Sequence, residues 1–264
     1  MKKRTLAILI GVLGVLCVVC GVMLLQGGGE KPETADPDPV PSVSQDPTPQ
    51  PESESAASSQ ETSSQEEPYV SPIDFASLQA TNPDIYGWLR IPGTEFDFPL
   101  VQREGDDAFY LTHDSDGNES SAGAIFTEST YNTTTMEDPI TVAYGHQMHA
   151  GTMFGKLQET YSQESALEDY GEIVVYLPER ELHYRVFAAV PYDNRHILYN
   201  YDSSDPRRVT AFLNSVYEVR EIGAQFSDSV TVSAEDKILV LSTCLAGNSQ
   251  KRYLVLAVCQ TVID

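Results

Sequence analysis

The stretch Lys237-Ile238-Leu239-Val240-Leu241-Ser242-Thr243-Cys244 runs apolar, turns polar and ends in a thiol. Its aliphatic core is shorter than an ordinary helix and includes β-branched residues, so it reads as a buried strand. A second apolar run, Arg252-Tyr253-Leu254-Val255-Leu256-Ala257-Val258, begins after seven intervening residues. So short a connection joins neighbouring antiparallel strands as a hairpin. Cys244 closes one strand and Arg252 opens the next, which puts thiol and guanidinium at the same end of the pair. A cation beside a thiol favours the thiolate and can stabilise an oxyanion. An arbitrary Cys–Arg pair is more often a buried cysteine and a surface arginine, so the chemical reading needs a third group.

That group has to be a histidine, and there are five: His113, His146, His149, His183 and His196. His146 follows Ile140-Thr141-Val142-Ala143-Tyr144-Gly145, a strand pattern ending in glycine. Residues that end a strand and open a loop are well placed for chemistry on a rigid scaffold. His183 lies within a strand pattern and reads as structural or exposed, while His113 and His196 sit in polar loops. His146 and His149 form an H-x-x-H spacing, which with Cys244 could bind a metal. That signal is weak, because glycine flanks His146 where a ligand-bearing helix would have to run.

Further strand patterns lie at residues 87–91, 173–177 and 184–190, and the final run extends to Val262. Helical signals are fewer. Ser71-Pro72 predicts a capped helix from Pro72 to about Ala80. The clearest helix is capped by Asp205 and opens at Pro206. Val209, Phe212, Leu213 and Val216 make its apolar stripe, and Gly223 is the expected stop. Mostly strands, with one substantial helix late in the chain, predicts a β-barrel or sandwich with helical insertions.

Outside this region the chain changes character twice. Residues 1–26 open with Lys2, Lys3 and Arg4 and continue with an uncharged apolar run, Leu6 to Leu25. That is about the 20 residues a helix needs to cross a bilayer, and no small-x-small cleavage site follows. It reads as a retained single-pass signal anchor with a cytoplasmic N-terminus, leaving the rest of the chain extracellular. Cys17 and Cys20 lack a lipobox and read as small apolar residues of that anchor. Residues 27–71 hold Lys31 against ten acidic residues and are rich in Pro, Ser and Gln. Such a segment cannot bury enough surface to offset its ordering entropy, so it is expected to be a disordered tether. It would reach on the order of 140 Å fully extended, or roughly 40 Å as a coil.

Residues 72–264 are the expected folded domain, with 12 basic and 29 acidic residues. Acidity without a basic stripe argues against nucleic acid as a partner. Four cysteines are too few for a disulfide scaffold. Cys259 shares strand parity with Tyr253, Val255 and Ala257, so it is expected to be a buried thiol facing away from Arg252. The acidic stretch Asp114 to Glu119 has its glycine at the wrong place for an EF-hand loop and reads as a solvated turn.

The motifs now in view resemble the sortases, cysteine transpeptidases of the bacterial cell surface, and class B in particular. Leu241-Ser242-Thr243-Cys244 looks like the family's T-L-x-T-C signature, with Val240 where threonine is usual. Tyr144-Gly145-His146 matches its histidine motif, with Gln147-Met148 where class B often has Asn-Met, and Arg252 matches the arginine that opens the last strand. The similarity extends over Asn82 to Thr94, Tyr110-Leu111 and Ser121 to Phe126. It implies a mainly β fold: a closed eight-stranded barrel with an N-terminal helix and a helix in the long loop before the cysteine strand. It also implies roles for Cys244 as nucleophile, His146 as acid and base, and Arg252 as substrate and oxyanion support. Thr243 and Ser242 would help position substrate or support the oxyanion. The implied partners are secreted proteins with a C-terminal sorting motif and an amine acceptor, either a peptidoglycan-precursor stem peptide or a pilin lysine. No cofactor or metal is implied. A non-catalytic binding domain on a stalk would explain the anchor and tether equally well, but not the shared context of Cys, His and Arg. A papain-like hydrolase would place Cys before His, opposite to the order here.

Overall fold

The computed structural model of the protein describes residues 68–264. The expected anchor and the tether up to residue 67 lie outside the described residues. Tyr69, near the expected end of the tether, donates its hydroxyl to Glu181 Oε2 at 3.2 Å, so contact with the folded domain begins before residue 72.

In chain order the elements are α1 (Phe75–Thr81), β1 (Ile85–Arg90), β2 (Asp97–Val101), a one-turn 3-10 helix (Phe109–Leu111), β3 (Ile125–Phe126), β4 (Ile140–Tyr144), α2 (Leu157–Tyr161), α3 (Ala166–Asp169), β5 (Glu172–Tyr176), β6 (Glu181–Asp193), α4 (Ile197–Asn200), α5 (Pro206–Tyr217), β7 (Gln225–Phe226), β8 (Ile238–Leu245) and β9 (Asn248–Ile263). Strands pair in the order β5-β1-β2-β3-β4-β8-β9-β6, and β6 pairs back onto β5. Among the described residues this closes an eight-stranded barrel, with β7 appended to the outer side of β6. Closure removes the sheet edges that an open sheet would expose. The pairings are antiparallel except β2–β3 and β4–β8. The mainly β barrel with an N-terminal helix and a helix ahead of the cysteine strand is therefore the observed fold.

Two apolar cores explain the uninterrupted hydrophobic runs. Leu239, Leu241, Ala143, Tyr253, Val255 and Ala257 point into the barrel. Ile238, Val240, Ile140, Val142, Leu254 and Leu256 point outward beneath Val209, Phe212, Leu213 and Val216 of α5. Strands β4, β8 and β9 are thus covered on both faces, so both parities must be apolar. Burial of each α5 side chain is worth about 1.5–3 kcal/mol, which makes packing the main hold on this helix.

Several boundaries differ from the sequence expectation. The first helix is capped by Asp74, whose Oδ1 accepts from Ser77 N at 3.1 Å, and it starts at Phe75. Ser71 instead accepts from Ile73 N in a local turn, so Pro72 precedes the helix. Asp205 does cap α5, accepting from Arg207 N, but the helix stops at Tyr217. Gly223 lies six residues on, where its φ of +88° serves the next turn. β2 and β3 were not anticipated: one carries Pro99 and the other is two residues long, so neither shows a periodic pattern. The Asp114 stretch is a turn held by its own backbone, with Asp114 Oδ1 accepting from Asp116 N and Asn118 N.

Candidate active site

Strand β8 supplies the thiol and its register fixes the neighbours. In the β8–β9 ladder Cys244 stands directly opposite Arg252. The hairpin is tighter than the sequence implied: Ala246-Gly247 makes the turn, with Gly247 at φ +78°, and β9 begins at Asn248. On the other side of β8, parallel β4 pairs Tyr144 with Ser242, and Gly145 N donates to Ser242 O at 3.1 Å. His146 follows that pair by two residues in the loop that leaves β4, and Cys244 by two residues within β8, so both lie at the same end of the β4–β8 pair. The end of β4, β8 and the facing part of β9 thus bring His146, Cys244 and Arg252 to one end of the sheet, with β8 in the middle.

Parity then sorts the neighbours. Ser242 is buried and shares the face of Cys244, beside Tyr144. Thr243 faces the other way, opposite Tyr253 on the barrel interior, and its Oγ1 has no hydrogen-bond partner among the described residues. The Thr243 side chain thus lies on the barrel-interior face, while its backbone adjoins the Cys244 face.

The chain leaves β4 through Gly145, whose environment leaves no room for a side chain. An added Cβ would lie 2.5 Å from Ile125 Cδ1 and 2.7 Å from Phe154 Cδ2. Gly145→Ala is expected to cost about 1–3 kcal/mol by overpacking and to slow acylation by shifting His146. A denaturant midpoint equal to wild type would show that the packing can give way. His146 itself is half-buried, and its Nε2 hydrogen-bonds to Leu111 O at 2.8 Å. Arg252 Nη1 donates to Ser249 O at 3.0 Å and Lys251 O at 3.1 Å, which holds the guanidinium over the hairpin turn. Lys251 points elsewhere, into an ion pair with Glu221 at 2.6 Å.

A polar cluster that the sequence reading did not find adjoins this face. Tyr144 packs between Phe126 and His196, with ring centroids 5.5 and 6.2 Å away. His196 caps α4 through Nδ1, and its Nε2 meets Glu128 Oε2 at 2.8 Å. Burial pushes the Glu128 carboxyl up despite the opposing pull of His196. The Tyr144 phenol is also pushed up, first by burial and then by Glu128, while Arg252 acts in the opposite direction. Glu128 and His196 are 68 residues apart, so no local pattern could have signalled the pair.

The remaining candidates are placed elsewhere. His149 is exposed, and His183 bridges Glu172 and Glu181 at 2.9 Å each. His113 stacks on Phe109 with its Nδ1 against Phe109 O. Among the described residues no group of three or more His, Cys, Asp or Glu side chains is arranged to hold a metal ion. Cys259 packs against the barrel interior as expected, although it is half-buried, and burial raises its thiol pKa. It lies seven residues along β9 from Arg252, roughly 23 Å at strand rise, far beyond the reach of a disulfide to Cys244.

Comparison with known proteins agrees with this geometry. The sortase domain model matches residues 89–260. Sortase B of Listeria monocytogenes is 31% identical over 182 residues, which cover 65% of this chain and 67% of that protein. The Staphylococcus aureus sortase B–substrate complex is 28% identical with a TM-score of 0.60, covering 71% of this chain and 84% of that one. Sortase B from Bacillus anthracis in complex with AAEK1 is also 28% identical with a TM-score of 0.60, over 70% and 83% of the two chains. With the match running from β1 into β9 and the relatives agreeing on the class, the chain belongs to the sortase family of cysteine transpeptidases, in its class B.

Proposed function

We propose that this transpeptidase acts through Cys244, His146 and Arg252 on the C-terminal sorting signal of secreted proteins. The Cys244 thiolate attacks a backbone carbonyl of the signal, and Arg252 donates to the oxyanion that forms. The C–N bond breaks as His146 gives its proton to the leaving amine, and a thioacyl-enzyme remains. An incoming amine then attacks the thioester, His146 takes its proton, and the thiolate departs. The acceptor is an amine of a peptidoglycan-precursor stem peptide or a pilin lysine. Residues 1–26 anchor the chain in the membrane with the N-terminus inside. The acidic segment 27–71 holds the catalytic domain off the outer surface, where both substrates are delivered. The observation that carries the reading is the register in which Cys244 stands opposite Arg252, at the end of the β4–β8 pair that His146 follows.

A thiol-reactive sorting-signal peptide analogue tests it. Cys244 is expected to be labelled and Cys259 left untouched, because the latter is half-buried on another face and its thiol is raised by burial. Peptide mapping by mass spectrometry distinguishes the two. Labelling of Cys259 alone, or of neither, would favour a non-catalytic binding domain on a stalk.

A further inference from the structure

Three stretches within the family resemblance have no part in the chemistry above: Asn82 to Asp84, Tyr110-Leu111, and the segment around Gly123. The fold brings Leu111 and Gly123 to His146 and links Asn82 and Asp84 to Tyr110 beside them. Tyr110 is 1% exposed. Its hydroxyl donates to Asp84 Oδ2 at 2.8 Å and accepts from Asn82 Nδ2 at 2.7 Å. Burial pushes this phenol up to about 12, so it remains a donor at neutral pH. Asn82 Oδ1 accepts from Asp84 N at 3.1 Å, and Arg103 pairs with Asp84 at 3.3 Å, so the anchor is itself held.

The backbone after Tyr110 is pinned on both sides. Tyr110 O accepts from Ala124 N at 3.0 Å and Thr112 O from Ser120 N at 2.8 Å. Between them Leu111 O meets His146 Nε2 at 2.8 Å. Gly123, at φ +61°, closes the arrangement. A Cβ there would lie 2.5 Å from Tyr110 O, 3.1 Å from His146 Cδ2 and 3.2 Å from Leu111 O. A carbonyl oxygen can only accept, so its contact requires a proton on Nε2 and leaves Nδ1 as the free nitrogen of the neutral ring.

We propose that Tyr110 is a positioning residue for His146: anchored by Asn82 and Asp84, it fixes the Leu111 carbonyl that holds the imidazole as its Nε2–H tautomer, so that Nδ1 gives and takes the proton. The inference rests on His146 as the acid and base of the transpeptidase reading. Its test is the long-range proton–nitrogen NMR spectrum of histidine-labelled enzyme, which reports the protonated ring nitrogen without turnover. In its neutral ring, wild type is expected to show His146 with the proton on Nε2. Tyr110→Phe keeps the ring but loses the anchor, and is expected to show a mixture of tautomers. Its kcat per labelled active site should fall about tenfold to a hundredfold, as for a misplaced catalytic group, with KM for the sorting peptide little changed. If Tyr110→Phe does not fold, Asn82→Ala loosens the same anchor and carries the same expectation. A neutral wild-type ring with its proton on Nδ1, or an unchanged tautomer in the anchor variant, overturns the proposal whatever the rate. Failure of the underlying transpeptidase reading would show separately, as absence of any peptide labelling at Cys244.

Discussion

Cys244→Ala is expected to lose thioacyl formation completely while keeping its fold. The thiolate is the group that bonds to the substrate carbonyl, and alanine has no atom to replace it, so no residual pathway through a thioester exists. The fold should survive because Cys244 is only half-buried near the end of β8, with no hydrogen bond from its sulfur among the described residues. Substitutions at such positions usually stay within about 0.5 kcal/mol. Single-turnover mass spectrometry should find no acyl adduct, and thermal unfolding should match wild type within a few degrees. Normal turnover by this variant would end the assignment of Cys244 as nucleophile.

The next largest effect is expected at Arg252, and its neighbour Lys251 is the control. Charge alone does not separate the two, since both are basic and adjacent at the start of β9. Geometry does. Arg252 stands opposite Cys244 with its guanidinium held over the hairpin turn, while Lys251 is turned to Glu221. Loss of an oxyanion donor typically costs on the order of 100-fold or more in rate, and that is the expectation for Arg252→Ala. Arg252→Lys should remain strongly impaired, because a point charge on a flexible stem does not reproduce a planar fork of donors already fixed by two carbonyls. Lys251→Ala removes one half-exposed ion pair, worth about 0–1 kcal/mol, and should acylate at close to the wild-type rate. All three are compared in single-turnover acylation. A severe loss at 251 with little change at 252 would mean that Arg252 is not the donor.

Much of the site was legible because it is local. Cys244 and Arg252 lie on two strands joined by a two-residue turn, so apolar runs and their spacing suffice to set them side by side. His146 was singled out by its place after a strand and a glycine, and the structure gives that glycine a physical reason, since Ile125 and Phe154 occupy the space of a Cβ. The helix signals were partly read. Asp205 and Pro206 mark the start of α5 correctly, because a cap is a contact within one turn. Its end was misplaced, because Gly223 meets the conformational demand of a later turn.

Composition and pattern by themselves determined a β-rich domain, its hairpin and the candidate trio of side chains, because strand period, turn chemistry and capping all act within a few residues. Tertiary structure alone decided which face each side chain serves. A period of two says that Thr243 and Cys244 point opposite ways, but only the barrel interior on one side and α5 on the other says which way is the site. It alone also brought His146 to the end of the barrel that carries Cys244, because β4 and β8 pair in parallel across almost a hundred residues of intervening chain. And it alone gathered Leu111 and Gly123 against the imidazole and tied Tyr110 to Asn82 and Asp84, since contacts between distant segments follow from how the barrel closes, which no local periodicity encodes.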